Sequence, residues 1–576
     1  MDFYLRIDKS GRLLAAPEII FSEADNHSTL EFVQHKNGFS WILGDPVYPS
    51  LDRKTFHSIL EDGKFGKFIR AVDGFYFLLH WNEQKKQLVI SSSMFNILPV
   101  YYLSSNNLLI ISSSFDLLRQ TEAVEWTPDE QYYLEKALFY YPLFTRTPLK
   151  QINTVPSNHL LVYQDNLSFS RHTHISDYYV ENPVPWTRSL DHLAEMFIEQ
   201  ARKFIPVAPF CATLTGGFDG RTSISVAMEM NRSFFTYSYG SETSMDVKIP
   251  LLISREMGIT HKPLILDKTY TKQHFWKNGM EFLTRSYGLG NISRAHYYYA
   301  LQTVLKDTRY LVSGNFGSEI IRSMKVPGVM TSALLFNLFE NPDRSQLRKQ
   351  ILASAGTKYL SPNLVDRWID PLLDEIYDYL SNLPGHLSAN KRFYIYLFEE
   401  VFSKYFGPEI TVQRQFLNHR APFLSFRFIE VLLKTGMAGV YSEYRENNPF
   451  NRYHGQVLYA HILKRTAPGW LDLPLDRGYK PRYFLTPAGP IQIALGFTIR
   501  KLMKKKPGAI PDYSIENTEA SLPELQKIPL APELFNPRFY EQQFHESWRT
   551  DQMNFENMIS AAIYQSLIDE YSYDIA

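Results

Sequence analysis

Short apolar runs separated by turn residues fill roughly the first 170 positions. Residues 74–80 (GFYFLLH), 87–91 (QLVIS) and 108–112 (LLIIS) are rich in aromatic and β-branched side chains. They are too short for helices, and Asp73-Gly74 and 104–107 (SSNN) punctuate them as turns. The pattern predicts a strand-rich domain with sheets stacked through apolar faces. Between about 170 and 190 the chain turns polar, with His172, His174, Asp177, Pro183 and Pro185, which predicts a domain boundary. Leu190, Leu193, Met196, Phe197 and Ala201 then form a helical stripe. Beyond it strand and helix patterns alternate: a strand over 209–214, a helix from Thr222, a strand over 234–239, a helix over 247–257 and a strand over 263–266. That alternation predicts a parallel sheet with crossover helices. Residues 365–470 read as helical, and the tail after about 507 starts proline-rich and ends in helices.

Composition narrows the function classes. Lys plus Arg equal Asp plus Glu at 60 each, so charge gives no reason to expect nucleic acid as a partner. No apolar run is long enough for stable membrane insertion, and no signal-peptide core opens the chain, so a cytoplasmic location is expected. The basic run 501–506 (KLMKKK) reads as a solvated helix end, with contact to anionic lipid as the other reading. The only cysteine, Cys211, excludes an internal disulfide and reads as a small buried residue on a strand.

The most informative stretch is 209–225, PFCATLTGGFDGRTSIS. An apolar strand runs into Thr215, Gly216, Gly217, Phe218, Asp219, Gly220 and Arg221, and a helix follows. Adjacent glycines let backbone N–H groups close on an anion, and the helix start adds partial positive charge. A carboxylate in such a loop makes sense with a cation present, so Asp219 is assigned to Mg²⁺ riding on ATP phosphates. Arg221 is expected to pair with phosphate or with a neighbouring carboxylate. Taken alone, Gly-Gly-x-Asp also closes ordinary turns, and that structural reading stays open.

Residues 215–220 resemble the Ser-Gly-Gly-x-Asp-Ser loop of the PP-loop ATP-pyrophosphatase superfamily. Within it the asparagine synthetase family is similar at further places in the same order: 237–240 (YSYG) with 244–247 (SMDV), 313–319 (SGNFGSE), 420–424 (RAPFL) and 477–480 (RGYK). Residues 73–81 (DGFYFLLHW), 92–102 (SSMFNILPVYY) and 147–159 (TPLKQINTVPSNH) resemble its amidotransferase half. The resemblance implies an α/β protein: an Ntn-hydrolase-like, type 2 amidotransferase-like domain over 1–175, a Rossmann-like parallel-sheet PP-loop domain over 185–507, and a helical extension over 508–576 packed on the latter. It implies a ligase that activates a small-molecule or peptide carboxylate as acyl-adenylate for attack by ammonia or an amine. ATP and Mg²⁺ are the cofactors implied, and a homodimer is one expected assembly. Thr215, Gly216, Gly217, Gly220 and Arg221 would meet phosphates, and Leu214, Tyr239, Ser313 and Gly314 would meet adenosine. Asp219 and Glu319 would hold metal. Lys480 would steady acyl-phosphate charge, its other reading being a surface lysine.

Departures from the family bear on function. Its glutaminase needs a cysteine after the initiator methionine, and here position 2 is Asp2. No glutamine hydrolysis is therefore expected. Gly220 replaces a serine, while Asn315 and Ser318 replace acids of the second loop. Each lost charge-assisted contact costs about 1.5–3 kcal/mol. A non-catalytic scaffold that keeps the fold is the alternative expectation. His296 and His419 read as structural rather than catalytic.

Overall fold

The computed structural model describes residues 2–8, 19–21, 29–49, 53–120, 124–322, 330–340, 343–445, 454–503 and 512–573. The apolar runs of the first segment pair into two antiparallel sheets. One is ordered Ile19–Phe21, Phe3–Asp8, Leu108–Ser112, Tyr101–Ser104, Asn153–Thr154. The other is ordered Leu167–Arg171, His159–Tyr163, Gln87–Ser92, Asp73–Asn82, Gly38–Val47, Thr29–His35. Strand Asp73–Asn82 pairs on both edges and is buried on both faces, which is why its sequence is continuously apolar instead of alternating. Phe3 meets Phe77 edge-on, with 5.5 Å between ring centroids, where the two sheets face each other.

The second segment builds a five-stranded parallel sheet ordered His261–Ile265, Phe234–Gly240, Phe210–Thr213, Tyr310–Val312, Asn418–Arg420. In chain order this is 3-2-1-4-5, so the winding reverses between the first and fourth strands. In such sheets the crevice beyond the strand C-termini at the reversal is where ligands bind. Helix Trp186–Phe204 buries Leu193, Phe197 and Ala201 of the predicted stripe, leaves Leu190 and Met196 half-buried, and also buries Ala194, Ile198 and Phe204. Each such large apolar side chain stabilises by roughly 1.5–3 kcal/mol. Within the helical reading of 365–470 the structure inserts the strand Asn418–Arg420, whose three residues are too few to show a period. Cys211 lies fully buried on the central strand.

Buried polar contacts join the two segments. Arg420, on the fifth parallel strand, holds Asp45 in a bidentate pair at 2.6 and 2.9 Å. Arg414 pairs with Asp2, and Asp73 accepts the Phe426 N–H at 2.9 Å. Helix Gln552–Tyr573 lies against both segments. Asn557 donates to the Lys136 carbonyl at 2.7 Å, and Ser560 accepts the Ile292 N–H at 2.9 Å. The 507 boundary and the end of the basic run at 504–506 fall outside the described residues. Among the described residues no helix is long and apolar enough to cross a membrane.

Candidate functional site

At the reversal point, the loop after strand Phe210–Thr213 meets the loop after strand Tyr310–Val312. A Cβ on Gly314 would stand 2.4 Å from the Asp219 carbonyl carbon and the Gly220 nitrogen, so only glycine permits this approach. A Cβ on Gly220 would stand 2.5 Å from the Thr213 carbonyl oxygen. A side chain there would need the strand end to shift. The helix begins at Asp219, three residues before the expected Thr222, so Asp219 sits in its first turn. The first N–H groups of that helix lack intrahelical acceptors and face the crevice end of the sheet.

Of the two carboxylates expected from sequence, Asp219 lines the cavity and its charge acts on Glu319. Asp219 Oδ2 accepts from Ser318 Oγ at 2.6 Å, and Asp219 Oδ1 is buried without a hydrogen-bond partner. Burial and then the Asp219 charge push the Glu319 pKa up to about 7. Two acids sharing a site, one with an orphaned oxygen, fit a single Mg²⁺ arriving with a polyphosphate. They do not make a cage of protein ligands: among the described residues no group of three or more His, Cys, Asp or Glu could hold a metal.

Residues that sequence reasoning did not single out complete the crevice. The cavity is lined by Gly217, Asp219, Ser318, Arg322, Tyr459 and Arg477, among others. Arg322 Nη2 donates to Ser318 Oγ, so a serine bridges the guanidinium and Asp219. Ser318 and Arg322 are four apart on one short helix turn, and that i, i+4 spacing beside Glu319 was the available signal. Asp246 Oδ1 accepts the Gly216 N–H at 3.1 Å, and the Gly216 carbonyl accepts the Asp476 N–H at 2.8 Å. Gly217 N–H donates to the exposed Thr215 hydroxyl at 3.3 Å.

Among the other expected residues, Arg221 turns to main-chain carbonyls. It is fully buried and donates to the carbonyls of Leu473, at 3.2 Å, and Pro474, which anchors the 473–480 segment over the glycine pair. Burial lowers its pKa to about 9, and Asp476 opposes that. Lys480 is exposed and absent from the cavity lining, to which the 473–480 segment contributes the buried Leu475 and Tyr479, the half-buried Asp476 and the exposed Arg477. Leu214 is buried, its N–H bonded to the Tyr237 carbonyl at 2.9 Å. Ser313 Oγ shares a 2.6 Å hydrogen bond with His419, which Gln413 holds from the other side at 2.6 Å. Burial lowers the His419 pKa to about 3, so the imidazole stays neutral. Tyr239 packs on His296, ring centroids 4.2 Å apart. Asn315 donates to Glu409 at 2.7 Å; an acid at 315 would face that carboxylate with like charge.

No protein-family model matches the chain, and no curated protein matches it. Among solved structures it is similar to glutamine phosphoribosylpyrophosphate amidotransferase from B. subtilis, complexed with ADP and GMP. The identity is 11%, covering 61% of this chain and 82% of that one, with a TM-score of 0.20. This is a weak structural relation to an amidotransferase, and nothing below rests on it.

Proposed function

We propose that the crevice binds the polyphosphate of ATP and that the chain is an amide-forming ligase resembling asparagine synthetase. In this reading an Ntn-type domain without its cysteine precedes a PP-loop domain. The observation that carries the proposal is the meeting of the 214–219 and 313–319 loops at the sheet's reversal point, with Asp219 in the cavity lining.

A substrate carboxylate oxygen would attack the α-phosphorus, forming an O–P bond as the α–β bridge breaks and pyrophosphate leaves. An amine or ammonia would then attack the acyl carbon, expelling AMP and losing a proton. Thr215, Gly216, Gly217 and Gly220 shape the phosphate end, and the backbone at Leu214, Tyr239, Ser313 and Gly314 borders the adenosine end. When bound, Mg²⁺ would neutralise polyphosphate charge from Asp219 and Glu319. The chain's own contribution is positioning and charge balance. The test is ATP–pyrophosphate exchange with a panel of carboxylates. Asp219→Asn should lower exchange at least about a hundredfold, two charge-assisted contacts being lost. Exchange unchanged in that variant would defeat the assignment.

One set of contacts favours a second reading, a binding protein without catalysis. The Gly216 amide and carbonyl are both engaged, by Asp246 and Asp476, and Ser318 occupies Asp219 Oδ2. Under that reading calorimetry with Mg-ATP yields no heat.

A further inference from the structure

Arg322 is a charge that the ligase chemistry, as described above, does not use. It caps the short helix Gly317–Ile321 and sends its guanidinium into the cavity that Gly217 and Asp219 line. Space for its stem is made by Gly455, where a Cβ would stand 2.8 Å from Arg322 Cγ. Its carbonyl is fixed by the Tyr394 hydroxyl at 2.9 Å. The side chain is therefore held from its backbone outwards. Its guanidinium is not matched to the same degree: Nη2 donates to Ser318 Oγ, while Nε is buried without a partner. Its link to Asp219 runs through that serine instead of a direct ion pair. Arg477 lines the same cavity. Against burial, Asp219 first, and Glu319 as well, hold the Arg322 guanidinium charged. Its planar fork suits a phosphoryl group.

We propose that Arg322 is a built-in counter-cation for a pyrophosphate-type anion, so that this crevice binds pyrophosphate without a divalent metal. The proposal rests on reading the crevice as a polyphosphate site and adds who balances the charge. It also accounts for Ser318: an aspartate there would pair with Arg322 directly and spend its charge. Here the serine keeps Arg322 in place without adding a further negative charge.

The experiment is calorimetric titration of the full chain with inorganic pyrophosphate, in EDTA and again in MgCl₂. Wild type is expected to bind in both. Arg322→Gln is expected to bind at least about tenfold more weakly in EDTA, the loss from one charge-assisted contact. Should that variant not fold, Ser318→Asp serves, with binding expected to become dependent on MgCl₂. Wild-type binding in MgCl₂ alone, or equal affinity of wild type and variant in EDTA, overturns the proposal. Pyrophosphate binding with no exchange activity removes the ligase reading and leaves this one standing. Exchange activity with no Arg322 effect does the reverse.

Discussion

Glu319 carries a proton-linked penalty that can be read from outside the active site. Its folded pKa is raised, from 4.5 to about 7, by burial first and by Asp219 second. A raised carboxyl pKa means the folded state prefers the protonated form. The associated stability is fully present below about pH 4.5 and is lost as pH rises through about 7. Glu319→Gln keeps the neutral shape at every pH. The variant is expected to equal wild type at pH 4.5 and to be more stable by about 3 kcal/mol at pH 8. Chemical denaturation at the two pH values checks this, and an equal offset at both would contradict it. Bound cation should shrink the difference, since it offsets the same repulsion. Residue identity marked the two glycine loops, which the structure brings together at Gly314 and Gly220. It did not foretell the fate of Arg221, since a charge buried against main-chain carbonyls leaves no trace in spacing.

Ties between elements place the first sheet against the second segment. Strand Phe3–Asp8 begins next to Asp2, whose carboxylate takes a hydrogen bond from Ser113 Oγ at 2.8 Å and pairs with Arg414. Burial raises the Asp2 pKa, but Arg414 and Ser113 outweigh it and leave the group below its ordinary value. Position 2 therefore carries one half of a buried ion pair. Asp2→Ala would leave the Arg414 guanidinium without its carboxylate, and removing one partner of a buried pair costs about 3–5 kcal/mol. The expected outcome is a lower unfolding midpoint in urea together with faster proteolysis between the two segments. A midpoint within error of wild type would contradict the tie. Long elements such as Trp186–Phe204 and Asp73–Asn82 were legible because burial stamps a period or a continuous apolar run on them. The strand Asn418–Arg420 was not, because its position depends on pairing with Tyr310–Val312 and not on its own three residues.

Across the whole molecule, the last helix is where distant parts of the chain converge. Gln552–Tyr573 buries Phe555, Met558, Ile559, Ala562 and Ile563 almost completely. It touches helix Glu130–Phe139 of the first segment through Asn557 and through Tyr133 with Gln565. It touches the second segment through Ser560 and through Tyr564, whose ring leaves no room for a Cβ at Gly288, 2.2 Å away. Sequence offered an apolar helix but not the second surface, since one amphipathic pattern is compatible with either neighbour. Removing residues 552–576 would expose this cluster and both of its partners. At roughly 1.5–3 kcal/mol for each large side chain, the loss matches or exceeds the 5–15 kcal/mol by which a domain is usually stable. A chain ending at 551 is therefore expected to lose its cooperative calorimetric transition and to aggregate. The tail then packs on both segments over the core they share, and the crevice at Asp219 depends on it only through that packing. A truncated chain that melts cooperatively within a few degrees of the full one would show that the two segments need no such clamp.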